Sequence, residues 1–224
     1  MKAIKTILSN PLAIFNLLIC KIKSAYYSSY IDGGKGKFIV QDPNIGVKII
    51  KGKGARIVID GIVTISSHIG GNSLIVINLG ANSKLEIAGD FIIGNGVKLA
   101  ISDEAILSFG GKNIESGSGI TADTMVMCNK RIDIGKDFLC AWGVFISDSD
   151  WHSIGSQHHQ GDVIIGDHVW IANNSSVLKG SVIGNNSIIA SQSKVANKVY
   201  PPNSLLAGTP ARVVKSDISW KRDI

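Results

Sequence analysis

Aromatic residues, proline, cysteine and charge are all scarce in this chain of 224 residues. Only 6% of the residues are Phe, Trp or Tyr, 5 are Pro, 3 are Cys and 18% are charged. Cys20, Cys128 and Cys140 are odd in number, widely spaced and form no CxxC pair. That argues against a disulfide framework and against a thiolate zinc site. Reduced thiols are the default. Cys140, six residues from both Ile134 and Ile146, reads as a buried small apolar group. The net charge is +6, but the basic residues are scattered and no RNA or DNA module motif accompanies them, so nucleic acid is not the expected partner. The balance suits an anionic partner or a phosphorylated cofactor. Long apolar runs are missing too. Pro11 to Cys20 is too short to span a bilayer. No A-x-A cleavage site follows it, and Leu18-Ile19-Cys20 lacks the small residue that a lipoprotein signal sets before its cysteine.

What is present is glycine (25 residues), Ile and Val, with Asn and Ser at the turns. Above all there is a six-residue repeat. Ile165, Ile171, Val177, Ile183, Ile189 and Val195 fall at strict intervals, and Val163, Val169, Ser175, Ser181, Ser187 and Ser193 stand two places before them. No α-helix has that period. A parallel β-helix does, because each repeat is one short flat strand and a corner, and stacked coils bury one continuous core. The steps Ile93–Leu99–Ala105, Ile114–Ile120–Val126 and Ile134–Cys140–Ile146 extend it upstream, and strand-like writing begins at Ala55. No composition break marks a second globular unit, so residues 31–224 are expected to form the β-helix with its tail. Residues 1–30 read as a helical cap. Asn10 and Pro11 suit N-cap and first helical position, and Leu12, Phe15, Leu18, Ile19 and Ile22 share one face. That face is expected to pack on the end of the β-helix. The other reading is an interfacial helix whose Lys2, Lys5, Lys21 and Lys23 meet anionic lipid. The largest interruption is Ser147 to Asp162, a polar loop with three of the five histidines, and a loop expelled from a solenoid at one place is a typical functional site.

Three segments resemble the hexapeptide-repeat acyltransferases. They are Ile165-Gly166-Asp167-His168-Val169-Trp170-Ile171-Ala172, Ile183 to Val199 with Pro201, and Ala207-Gly208-Thr209-Pro210-Ala211-Arg212-Val213-Val214. The SDSDWHSI stretch and the ending Ile218 to Arg222 are similar to sugar O-acetyltransferases that modify capsule and lipopolysaccharide. The resemblance implies a left-handed parallel β-helix, all β apart from its cap. It also implies acetyl-CoA as cosubstrate, a sugar or polysaccharide acceptor, a cytoplasmic location and a homotrimer with its active site between subunits. An N-acetyltransferase of an amino sugar or nucleotide sugar, or a metal-bound or non-catalytic solenoid, is the alternative.

Acetyl transfer to a hydroxyl needs a base, an oxyanion donor and a cradle for the cofactor. His152 stands where the family places its base, and imidazole takes and returns a proton near neutral pH. His158 and His159 share its loop. Asp150 and Asp148 precede it by two and four residues, and an extended segment would turn all three to one side, so that a carboxylate orients the ring. The same loop donors define the metal alternative. By resemblance, Trp170 lines the pocket, and the backbone N–H of Ala172 or Asn173 meets the oxyanion. Cofactor contacts are implied at Ala190, Ser191, Ala196 and Asn197, and Arg212 supplies a cation for phosphate. Trp142 and Trp151, with His158, are the candidates for holding the sugar.

Overall fold

The computed structural model describes residues 11–111, 117–153 and 155–222. The expected cap residue Asn10, the lysines Lys2 and Lys5, and Ile114 lie outside them. From Lys37 onward the described residues form a parallel β-helix of three faces. Face I is a nine-stranded sheet that runs from the strand Lys37–Val40 to the strand Ala211–Lys215. Face II stacks seven strands, from Val47–Lys51 to Lys194–Val195, and face III seven, from Arg56–Ile59 to Val199–Tyr200. The chain visits I, II and III in turn. Its first coil starts at Lys37, earlier than the sequence pattern suggests, because the glycine- and lysine-rich passage before Ala55 hides two short strands.

Register explains the period. Ile65, Ile93, Ile120, Cys140, Ile171, Ile189 and Leu206 are direct partners on face I. All are buried, and each Ile or Leu so removed from water contributes roughly 1.5–3 kcal/mol. The neighbouring column, Ile92, Gly119, Leu139, Trp170, Ile188 and Leu205, points the other way, out of the prism. Corner residues adopt left-handed backbone, for example Asn174, Asn186 and Asn203, each at φ 56°, a conformation that Asn tolerates better than branched residues do.

The helix Pro11–Ser28 lies against the first strand of face I, but not through the face expected. Cys20 and Tyr27 are its buried residues, and Ser24 and Ser28 accept the N–H groups of Val40 and Phe38. Leu12, Phe15, Leu18 and Ile22 are all more than half exposed. The hydroxyls decide the contact because they satisfy the edge amides of the first strand, which a leucine cannot. Among the described residues no helix is long and apolar enough to cross a membrane.

Candidate active site

A groove of about 530 Å³ runs along face I and its corner with face II. Leu139, Trp170, Ile188 and Leu205 of the outward column make its apolar floor. Residues that follow those strands form its wall: Trp142, Ala172, Asn173, Ala190 and Ser191. Trp170 is half-buried here, and Trp142 is 47% exposed. The Ser191 hydroxyl donates to Asn173 Oδ1 at 2.8 Å. The two candidate oxyanion amides differ. The Ala172 N–H is committed to Ile189 O at 2.9 Å as part of the coil-to-coil ladder, so it cannot meet an oxyanion. Asn173 follows it at the corner, on the groove wall.

The expelled loop leaves from another corner, between faces II and III. Its carboxylates part company. Asp148 turns inward, is fully buried, and accepts the backbone N–H groups of Asn129, Lys130 and Arg131, each at 2.7 Å. That corrects the expectation that it orients His152: both of its oxygens are occupied in holding a turn. Asp150 is half-buried and ion-paired to Lys179. Lys179 also donates to His158 O, so one ammonium ties both arms of the loop. His152 is exposed, and among the described residues neither carboxylate bonds its ring. The alternation needed to align 148, 150 and 152 fails at Trp151, whose φ of 64° breaks the extended run.

The predicted residues therefore form two sets. Trp142, Trp170, Ala172, Asn173, Ala190 and Ser191 belong to the face I groove. His152, Asp150 and His158 lie on the II/III corner, as do Ala196 and Asn197 in the coil stacked on Lys179. Trp151 leans on face II, beside Ala100 and Met127, and donates its Nε1–H to Ser147 Oγ at 3.1 Å, away from the groove. Arg212 is exposed on the last strand of face I, which pairs with Leu205–Gly208 at the groove end. Among the described residues no three His, Cys, Asp or Glu side chains are grouped to hold a metal.

Sequence reasoning passed over three features. His68, which belongs to no motif, lines the groove and stacks on Trp142, with ring centroids 5.8 Å apart. Lys179 carries no motif. The tail beyond Lys215 runs back along the III/I corner as a strap: Ile218 bonds Asn203 and Asn186, and Trp220 stacks on His168 at 4.0 Å and exchanges two hydrogen bonds with it. Its similarity to a family tail was visible, but a strap has no periodicity to give its course away.

The family described as bacterial transferase hexapeptide (six repeats) matches residues 162–197. A polysialic acid O-acetyltransferase of Neisseria meningitidis is 33% identical over 166 residues, covering 70% of this chain and 75% of that protein. An uncharacterized 24.8 kDa protein in the cps region of Klebsiella pneumoniae is 29% identical over 192 residues, covering 83% and 82% respectively. Among solved structures, the polySia-specific acetyltransferase NeuO superposes with a TM-score of 0.57 at 24% identity, over 80% of this chain and 90% of its own. The shared fold is the left-handed parallel β-helix.

Proposed function

This chain belongs to the hexapeptide-repeat transferase family, and we propose that it is an acetyl-CoA-dependent O-acetyltransferase acting on a sugar hydroxyl of a surface polysaccharide. The observation that carries the reading is the division of the site. A groove suited to a long, mostly apolar pantetheine arm lies on one face, and an exposed histidine lies on another corner of the same prism. Neither half is a transferase alone. In a threefold assembly the corner of one subunit meets the groove of the next.

In that assembly the roles are as follows. The His152 imidazole takes the acceptor hydroxyl proton as the oxygen attacks the thioester carbonyl. The Asn173 N–H stabilises the oxyanion. As the tetrahedral intermediate collapses and the C–S bond breaks, the imidazolium returns the proton to the departing thiolate. Trp170 closes one side of the groove against water. Lys179 and Asp150 are positioning residues that fix the loop bearing His152. Arg212, Ala196 and Asn197 hold the nucleotide end. Acetyl-CoA places the reaction in the cytoplasm. Peripheral membrane contact falls to the exposed Leu12, Phe15, Leu18 and Ile22, whose apolar surface suits a bilayer interface.

The test is titration with acetyl-CoA, followed by transfer to oligosaccharide acceptors by wild type and His152→Ala. Saturable binding with a loss of roughly 10²–10⁴ in turnover is expected for a general base. No binding at millimolar acetyl-CoA, or an undiminished His152→Ala rate, would overturn it.

A further inference from the structure

The strap ends at a second cavity. A notch of about 180 Å³ opens beside the groove on face I, and the two share His68, Thr121 and Leu139. Gly119 makes the notch. It occupies the outward column between Ile92 and Leu139 and offers no side chain there, and a Cβ on it would stand 2.5 Å from Ile92 O. The notch has an apolar base of Ile92, Ile120 and Leu139 but a more polar rim than the groove. Ser66, Ser67 and His68 rim one edge, and Arg222 of the strap rims the other. Arg222 is delivered there by three anchors upstream, at Asn203, Asn186 and His168, and its Nη2 also donates to Phe138 O at 3.4 Å. The His68 Nε2 is buried with no hydrogen-bond partner among the described residues, although its ring is fixed against Trp142. Leaving such an atom unpaired costs free energy that a bound ligand recovers. No acidic side chain among the described residues lines the notch.

We infer that the carboxy-terminal strap completes an acceptor subsite for an acidic sugar, with the sugar carboxylate held in the notch by Arg222, Ser66 and His68. The Ser67 hydroxyl is committed to Asp42. The inference rests on the transferase reading and narrows its substrate class. The chemistry is a guanidinium fork matched to a planar carboxylate, with the Ser66 hydroxyl and an imidazole to fill the remaining lone pairs. Trp142, at the junction of notch and groove, presents its face to the C–H side of the sugar ring. The ring then lies toward Trp170, where the groove receives the acetyl group.

The experiment is equilibrium binding of oligosaccharides rich in sialic or glucuronic acid, each paired with its carboxyl-reduced neutral counterpart, to wild type, Arg222→Gln and Arg222→Lys. Wild type is expected to bind at least one acid roughly tenfold or more tightly than its reduced twin, the scale of a charge-assisted hydrogen bond. Arg222→Gln should erase the preference and Arg222→Lys should keep part of it. Trp220→Ala, which unpins the strap without touching the notch, should behave like Arg222→Gln. Equal affinity for every acid and neutral pair, or a preference that survives Arg222→Gln, would overturn the subsite. Coenzyme A titration separates the two failures. A wild type that binds coenzyme A without discriminating loses only the subsite. One that discriminates without binding coenzyme A keeps the subsite and loses the transferase.

Discussion

If the site is shared between subunits, two inactive variants should make an active enzyme. His152→Ala removes the base on the II/III corner and leaves the groove. Ala190→Trp places an indole in the groove of about 530 Å³ and leaves the corner intact. Each homotrimer should fall by roughly 10²-fold or more, since one lacks its general base and the other its cofactor channel. When the two are mixed at random in equal amounts, a working site needs a corner from the groove variant beside a groove from the base variant. Threefold closure makes that junction about one in four. A mixed trimer of either composition holds one such junction among its three, so double-tag purification should raise recovery to about a third of wild type. The assay is coenzyme A thiol release with acceptor after co-refolding. Activity no higher than the mean of the parents, from trimers shown to be mixed, would mean that base and groove act within one chain, and the divided-site argument would fail.

Two further outcomes test the fold beneath the site. Asp148→Ala strands three amide N–H groups that its buried carboxylate now accepts, and should destabilise the protein by about 3–5 kcal/mol. Asp148→Asn should cost less, and a denaturation shift below about 1 kcal/mol for the alanine variant would refute the turn-holding role. The three cysteines are free and buried, and burial raises all their pKa values, that of Cys140 to about 12. Native protein at pH 8 should therefore resist Ellman's reagent and yield three thiols per chain only when unfolded. Because the folded values lie above the unfolded one, the thiols' contribution to stability is complete at neutral pH and is lost as pH climbs from about 9 toward 12. Cys140→Ala should flatten that alkaline decline.

Much of the fold could be read without coordinates because a six-residue period admits so few architectures. The buried positions Ile165 to Val195 follow from it, and so does the outward setting of Trp170, one residue before a core position. The start of the solenoid was blurred because glycine and lysine around Lys37 to Lys53 carry no period, although strands form there by pairing with the next coil. Amphipathic spacing points to the wrong contact face of the helix, since it counts apolar side chains and takes no account of serine hydroxyls that serve a strand edge.

The site divides along the same line. By itself the sequence determined the coil, the expelled loop and which chemical groups are available, because all of these are encoded in local spacing and residue type. Tertiary structure alone decided that Asp148 faces inward, that Lys179 clamps the loop, that Ala172's amide belongs to the ladder, and that His68 and Arg222, 154 positions apart in the chain, rim one notch. Each depends on which coil lies above which and on where an aperiodic strap comes to rest. Stacking distance in a solenoid is a property of the turn count between two residues, and no window along the sequence contains it.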